Sequence, residues 1–400
     1  MQLPRSLPSL RSVSLFGPAF ALLAACGAPM QPAGDSSTAD RTAPEDSGTV
    51  SMDSSSQPDA MVETDAGVVE DSGAVLDTGV IAEDRVTPPS DTGVMAADFS
   101  GPGPLGVSAM TLNNVMLPMS TGCSGNDCRV NVLLSLPTGS AAGRSAPFPV
   151  AVISNGFLIS ASQYQSYALK LARWGYVVLR WDTTTEGGVI PRSIPHRILG
   201  NMLRELPNTV AAMGGALGPM MNTRQVIFAG HSRGGKLSAL AASNNANALA
   251  FVGFDPVDAA PPGTPVGPDY PSGAAALAMF NGRVVSIGAA LGNTSMFGMP
   301  CAPTAVNYQT FFSMARSPAF EVTLAQTGHV QFIDMRASCT TACALCPSGT
   351  TMDSAVTSLS TTLLVAASEA VTRGADASAY LTPTGSWISA QSIAQTPRAR

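Results

Sequence analysis

Apolar runs of strand length alternate with helical patterns from residue 148 onward. The runs cover residues 149–154, 175–181, 225–229, 248–254, 283–288 and 320–324, and the helical patterns cover about 161–174, 194–213, 235–243 and 353–372. Continuous apolar strands separated by helices predict an α/β fold, a mostly parallel central sheet with helices on both faces. In such a fold the ligand site lies at the carboxyl ends of the strands.

The first residues carry the pattern of an export signal. Arg5 and Arg11 precede an apolar run at 14–23, and the sequence Leu-Ala-Ala then leads into Cys26. A positive start, a short apolar centre and small residues at the cleavage point are typical of a secretory signal peptide. The Leu-Ala-Ala-Cys sequence resembles the lipobox of bacterial lipoproteins, which implies a signal peptide over 1–25 and a lipid on Cys26. Glycine rather than aspartate follows the cysteine, so the resemblance implies an outer-membrane anchor. The alternative is a plain signal peptide with a coincidental cysteine.

Charge divides the rest of the chain into two segments. Residues 31–98 hold 15 acidic residues against 2 arginines, whereas 99–400 hold 12 acidic and 17 basic residues, so the net charge of −6 describes neither. Residues 26–98 have no aromatic side chain and no sustained apolar period, which predicts a disordered acidic linker. Residues 99–400 can bury a core of their own and are interpreted as one catalytic domain. They contain no run of about 18 apolar residues, which excludes a protein with many membrane-spanning helices.

Six cysteines lie in the predicted catalytic domain: Cys123, Cys128, Cys301, Cys339, Cys343 and Cys346. An even number of cysteines in an exported domain predicts three disulfides, whose pairing the spacing does not fix. Cys123 and Cys128 flank a short polar turn, so we expect a local bridge between them. The spacing of the last three could also bind zinc, but no histidine lies among them. Neither a metal nor a cofactor is predicted.

The sequence Gly-His-Ser-Arg-Gly at 230–234 fits the motif G-x-S-x-G. It directly follows the apolar run at 225–229 and opens the helical pattern at 235–243. A strand, a tight turn and a helix form the setting of a nucleophile elbow, which exposes the serine hydroxyl above the sheet. We therefore predict that Ser232 is a catalytic nucleophile. The alternative is a serine that only caps the helix.

A base and an acid follow from the order of residues along the chain. A serine hydroxyl needs a base to take its proton, and in this fold the order is serine, acid, histidine. Of the three histidines, His196 precedes the serine and His231 is its neighbour on the turn, which leaves His329. The acidic residues between the serine and His329 are Asp255, Asp258, Asp269 and Glu321. Asp255 is favoured because it directly follows the apolar run at 248–254, and a structural role is the alternative for Asp258.

An oxyanion hole needs preorganised backbone donors. The Arg233 N–H directly follows the predicted nucleophile. The second donor is expected in the Asn-Gly-Phe loop after the run at 149–154, where Phe157 contributes its N–H. Five apolar side chains suit a pocket wall, and each of them can equally belong to the core: Phe157, Leu158, Met296, Phe297 and Met299.

Several of these segments together resemble the chlorophyllases, a family of the α/β-hydrolases. The resemblance covers about residues 130–373 and rests on the sequences Gly-His-Ser-Arg-Gly-Gly-Lys at 230–236, Gly-Phe-Asp-Pro-Val at 253–257, Asn-Gly-Phe-Leu at 155–158, the segments at 300–312 and 328–329, and the cysteine pair at 343–346. It implies an α/β-hydrolase fold, ester hydrolysis through an acyl-enzyme, and Asp255 rather than Asp258 as the acid. Val-Gln-Phe follows His329 where the plant-like pattern is Met-Asp-Met, so a chlorophyll substrate does not follow from the resemblance.

The sequence thus predicts an exported, lipid-anchored serine ester hydrolase that acts on a small hydrophobic ester. Its membrane contact is expected through the lipid on Cys26, at the periplasmic or surface face of the outer membrane. One alternative is a lipase, cutinase or polyester hydrolase on the same triad. Another is a non-catalytic binding lipoprotein on a hydrolase scaffold, against which the intact triad order argues. Nucleic-acid binding is not expected, because Lys170 and Lys236 are the only lysines and the arginines are dispersed.

Overall fold

The computed structural model describes residues 97–186, 194–261, 264, 267–295, 300–339 and 341–400. The predicted signal peptide, the lipidation site Cys26 and nearly all of the predicted linker lie outside these residues. Phe99, the first residue after the predicted linker, is fully buried. The extents of signal peptide, linker and catalytic domain stay predictions.

In the part of the chain that the structure describes, nine strands form one sheet, and its six central strands are parallel to one another. The strands are β1 (Gly106–Met116), β2 (Arg129–Thr138), β3 (Phe148–Ser154), β4 (Val177–Thr183), β5 (Met221–His231), β6 (Ala248–Phe254), β7 (Arg283–Ala289), β8 (Ala319–Leu324) and β9 (Ala394–Ala399). Their order in the sheet is β1-β2-β4-β3-β5-β6-β7-β8-β9. The strands from β4 to β8 in this order run parallel, whereas β1, β2 and β9 pair antiparallel at the two edges. This confirms the mostly parallel sheet of the sequence prediction.

Helices cover both faces of the sheet. The α-helices are α1 (Gln165–Arg173), α2 (His196–Ala212), α3 (Leu217–Met220), α4 (Arg233–Ser243), α5 (Gly273–Ala276), α6 (Tyr308–Met314), α7 (Thr341–Leu345), α8 (Asp353–Thr372), α9 (Ser378–Leu381) and α10 (Ser386–Ser389). Short 3-10 helices cover Met119–Thr121, Gly125–Cys128, Ala161–Tyr164, Leu277–Met279, Thr304–Val306, His329–Phe332 and Arg336–Ser338. α2, α4 and α6 pack on one face, and α1 and α8 pack on the other.

The alternation of side chains along β3 shows why the central strands are apolar without a break. Val150 and Val152 belong to the core beneath α2 and α4, whereas Ala151 and Ile153 belong to the core beneath α1 and α8. A strand that is buried on both faces has no position left for a solvated polar side chain. The two cores therefore fix the sheet from both sides and leave the carboxyl ends of its strands for the loops.

The core also accounts for the apolar character of α8. Among the described helices, α8 alone is long and apolar enough to cross a membrane, with a mean hydropathy of 1.2. Of that apolar window, 67% is buried inside the fold. One such helix is weak evidence for a membrane span, because the core helix of a folded domain passes the same test.

The sequence patterns located the central strands but missed the edges of the sheet. β6 and α8 begin and end at the predicted residues, and β3, β5 and β7 lie within a few residues of prediction. β1 and β9 were not predicted because most of their side chains are exposed and show no apolar pattern. The sequence of β2 does show the alternating apolar pattern of a strand, since Val130, Val132 and Leu134 all point into the core.

The six cysteines of the described chain form three disulfides. Cys123 pairs with Cys128, which is the expected local bridge. Cys301 pairs with Cys346, and Cys339 pairs with Cys343. The last three cysteines of the chain, whose spacing also suited zinc, are therefore each bonded to another cysteine.

Candidate active site

Ser232 stands on the turn between β5 and α4. Its φ of 55° and ψ of −125° form a backbone conformation that residues other than glycine rarely adopt. A Cβ on Gly230 would lie 2.3 Å from the Gly234 carbonyl oxygen, and a Cβ on Gly234 would lie 2.2 Å from the Ser154 carbonyl oxygen. Both glycines are required because the elbow packs against its own backbone and against β3. The strand-turn-helix setting predicted from the motif is present.

Ser232, His329 and Asp255 form a continuous hydrogen-bond chain. His329 Nε2 lies 2.8 Å from Ser232 Oγ, and His329 Nδ1 lies 2.7 Å from Asp255 Oδ2. Asp255 is fully buried just after β6, and its Oδ1 accepts the Ala289 N–H at 3.1 Å. A carboxylate can only accept, so Nδ1 donates to it and Nε2 is left to accept from the serine hydroxyl. Such an arrangement can take the proton of a serine that attacks a carbonyl carbon.

The loop that carries His329 is fixed by the buried side chain of Gln331. Its Oε1 accepts the N–H groups of Gly328 and Gly349, both at 2.7 Å. Its Nε2 donates to the Thr351 carbonyl oxygen at 2.6 Å. The loop is therefore bound to the segment that precedes α8, and it is not held by the triad contacts alone.

Asp258 has a structural position near Ser232, and no hydrogen bond of its carboxylate within the described residues goes to Ser232 or His329. Its carboxylate accepts the Gly273 N–H at 2.7 Å and the Ser272 hydroxyl at the start of α5. Lys236 Nζ lies 3.6 Å from Asp258 Oδ1 and donates to the carbonyl oxygens of Asp258 and Ala259, each at 3.3 Å. Burial lowers the pKa of Lys236, and the charge of Asp258 opposes that shift. The buried pair thus anchors residues 258–259 to α4.

The loop after β3 brings Phe157 beside Ser232. Phe157 and Arg233 line the same cavity as Ser232. In the part of the chain that the structure describes, no hydrogen-bond partner is found for the backbone N–H of either residue. The loop is held by Asn155, whose Nδ2 donates to the Ile159 carbonyl oxygen and, at 3.2 Å, to Asp182 Oδ1. Two unused backbone donors beside a serine can stabilise an oxyanion.

The Arg233 side chain is held above the Phe157 ring by an acidic partner. Its Nη1 donates to both carboxylate oxygens of Glu186, at 2.9 and 3.0 Å. The guanidinium carbon lies 5.2 Å from the centre of the Phe157 ring, within the range of a cation–π contact. Glu186 also accepts the Ile194 N–H at 3.1 Å. Glu186 therefore positions the Arg233 side chain, which in turn contacts the Phe157 ring.

A buried network of Tyr164 and His231 joins three parts of the site. Tyr164 Oη accepts the Gly156 N–H at 3.1 Å and lies 2.8 Å from His231 Nδ1. His231 Nε2 lies 2.8 Å from the His329 carbonyl oxygen, which can only accept. Nε2 therefore carries the proton, and Nδ1 accepts from the Tyr164 hydroxyl. Burial and the neighbouring His329 hold the pKa of His231 well below its usual range, so the ring is neutral.

Two cavities meet at Phe157 and Arg233. The one that reaches Ser232 has a volume of about 190 Å3. The other, of about 270 Å3, is lined by the same two residues together with Leu158 and Glu186 among others. The cavity of Ser232 has a mostly apolar wall, formed by Phe157, Val257, Ala259, Ala260, Pro261, Pro300, Cys301 and Pro303, with His196 among them. Of the predicted wall residues, Phe157 lines this cavity, Leu158 lines its neighbour, and Met296, Phe297 and Met299 lie outside the described residues.

The structure brings together every residue predicted for the triad and the oxyanion hole. Sequence reasoning did not assign a task to Tyr164, His231, Glu186 or His196. The contacts of the first three residues join elements that are distant along the chain, so no local pattern could identify them. His196 was set aside only because it precedes the serine, although its rarity as one of three histidines was a usable signal.

A comparison with protein-family models supports the same interpretation, whereas a comparison with curated proteins found no match. A family model described as Chlorophyllase matches residues 127–382, which is more than half of the chain and includes Ser232, Asp255 and His329. The chain therefore belongs to the chlorophyllase family, with the fold of an α/β-hydrolase.

Proposed function

We propose that this ester hydrolase of the α/β-hydrolase class is a serine carboxylic-ester hydrolase that forms an acyl-enzyme on Ser232. Family membership supports ester hydrolysis in general. The proposal that Ser232 forms an acyl-enzyme rests on one observation. Hydrogen bonds of 2.8 and 2.7 Å connect Ser232 through His329 to Asp255. The apolar wall of the adjoining cavity favours a hydrophobic ester.

In the first half of the reaction, Ser232 Oγ attacks the ester carbonyl carbon while His329 Nε2 takes the hydroxyl proton. Asp255 keeps the Nδ1–H tautomer and stabilises the imidazolium that forms. The carbonyl oxygen becomes an oxyanion, which the backbone N–H groups of Phe157 and Arg233 bind. The C–O bond to the alcohol then breaks, and His329 returns its proton to the departing alkoxide oxygen.

In the second half, a water molecule attacks the acyl-enzyme. His329 Nε2 takes a proton from the water, and the same two backbone donors bind the second oxyanion. Collapse of this intermediate breaks the bond to Ser232 Oγ, which regains a proton from His329 and releases the carboxylic acid. None of these steps requires a group beyond the residues named.

A panel of p-nitrophenyl esters from acetate to palmitate, together with chlorophyll a, tests the proposal. We expect the wild type to hydrolyse at least part of the panel, and Ser232→Ala to lose that activity. If the wild type hydrolyses no member, and a fluorophosphonate fails to label Ser232, the proposal is wrong. Preference along the chain-length series separates a chlorophyllase-like esterase from a lipase, cutinase or polyester hydrolase on the same residues.

We also propose that the protein is exported and anchored through Cys26, as the lipobox resemblance implies. The three disulfides support export, because disulfides persist in oxidising compartments and are rare in the cytosol. Growth with a radioactive fatty acid should label the wild type and leave Cys26→Ala unlabelled. An unlabelled wild type would refute the anchor.

A further inference from the structure

His196 is a polar side chain in the apolar wall beside the nucleophile. It lines the same cavity as Ser232 and is only 1% exposed. Within the described residues, neither of its ring nitrogens has a hydrogen-bond partner, and both nitrogens are sealed from solvent, so the ring has to turn before either can reach a molecule in the cavity. The ring is held by an edge-to-face contact with Tyr270, with 5.0 Å between the centres. A buried polar group without a partner costs free energy, which favours a partner that arrives with the substrate.

The surroundings of His196 define what such a partner can be. Burial, Arg233 and Lys236 together lower the pKa of His196 to about 3, so its ring is neutral at neutral pH. A neutral imidazole has one N–H donor and one acceptor nitrogen. The two nearby positive charges disfavour a cationic substrate group. The complementary group is an oxygen that accepts the imidazole N–H. Arg233 and Lys236 already have the carboxylates of Glu186 and Asp258 as partners, so an uncharged oxygen suits the site better than an anionic one.

We propose that His196 is a specificity-determining residue that binds an oxygen of the substrate, so that the preferred esters carry an ether, hydroxyl or carbonyl oxygen beyond the scissile ester. This inference rests on the proposed function. The cavity then offers two kinds of contact, an apolar wall for the hydrocarbon part of the substrate and one imidazole N–H for an oxygen. A site that is built to bind a polar group discriminates against the analogue that lacks it, because its own group is then left unpaired.

Isosteric pairs of esters test the inference without knowledge of the natural substrate. One series consists of p-nitrophenyl hexanoate and its ether analogues, in which a single methylene is replaced by oxygen at each position in turn. A second series consists of hexyl acetate and the corresponding ether-alcohol acetates, and it shows whether the acyl or the alcohol part meets His196. The measured quantity is the ratio of kcat/KM for an ether ester to that for its hydrocarbon isostere.

We expect at least one ether ester to be preferred by about tenfold in the wild type. His196→Leu should bring this ratio close to one, whatever its effect on the absolute kcat/KM values, and His196→Gln, which retains a donor, should restore part of the preference. Val257→Ala in the same wall is the matched control and should change both members of a pair by the same factor.

A wild type that prefers no ether ester at any position overturns the inference, and so does a preference that His196→Leu leaves unchanged. In both cases the hydrocarbon esters are still hydrolysed and the proposed function stands. If no ester of either series is hydrolysed and Ser232 is not labelled by a fluorophosphonate, the proposed function itself is wrong.

Discussion

The Tyr164 hydroxyl joins the loop that carries Phe157 to the turn that carries Ser232, so its removal should impair catalysis at a distance from the reacting atoms. Tyr164→Phe deletes the acceptor of the Gly156 N–H and the donor to His231 Nδ1. Both groups are buried, and each buried group without a partner costs about 1 to 3 kcal/mol. The expected loss of unfolding free energy is therefore about 2 to 6 kcal/mol, less whatever relaxation recovers.

The expected decrease in kcat has its own upper limit, which does not depend on the loss of stability. Removal of one oxyanion donor lowers kcat by about 10² to 10³. Tyr164→Phe only displaces the loop that carries Phe157, so we expect a decrease in kcat of up to about 100-fold with little change in KM. Stopped-flow or steady-state hydrolysis of a p-nitrophenyl ester measures kcat, and urea unfolding measures the stability on the same samples.

Tyr176→Phe provides the matched control. Tyr176 is fully buried, and its hydroxyl has two partners, Glu369 at 2.9 Å and Thr372 at 2.7 Å, neither of which belongs to the candidate site. It should lose a similar amount of stability and keep its kcat. Equal kcat values in both variants would refute the positioning role of Tyr164 and His231, whatever the loss of stability.

Three further outcomes follow from contacts around the site. Lys236→Met should lower the unfolding free energy by about 3 to 5 kcal/mol, because Asp258 then lacks its buried counter-charge, and the double variant with Asp258→Asn should recover part of the loss in a urea titration. Replacement of Cys301 and Cys346 by alanine opens a bridge with a sequence separation of 45 and should cost up to about 4 kcal/mol, with a lower Tm in calorimetry. The folded pKa of His196, about 3, lies below the unfolded value of about 6.5, so between these values only the unfolded chain takes up the proton and stability falls with falling pH. His196→Leu should therefore show a shallower loss of stability over this range, by up to about 1.4 kcal/mol per pH unit, and identical slopes for both proteins would contradict the shift.

The parts of the site that are local in sequence were predictable. The motif at 230–234 follows an apolar strand and opens a helix, so the elbow could be placed from neighbouring residues alone. Asp255 and His329 followed from order along the chain, since few acids and histidines compete with them. The cores on both faces explain why six strands were visible as apolar runs.

The remaining parts depend on contacts between elements that are distant along the chain. Tyr164 meets His231 across 67 residues, and Arg233 meets Glu186 across 47. The position of His196 beside Ser232 depends on the packing of α2 against α4. No periodicity or motif records such packing. The exposed edge strand β1 escaped prediction for a different reason, because an edge strand need not be apolar.

The proposed function requires that Ser232 carries the acyl group during ester hydrolysis. To test this, the protein is mixed with a p-nitrophenyl ester, the reaction is quenched within the first turnover, and the added acyl mass is located by peptide mass spectrometry. We expect the acyl mass on the peptide that contains Ser232 in the wild type and none in Ser232→Ala. Hydrolysis that continues in Ser232→Ala, or an acyl group found on another residue, would contradict the claim.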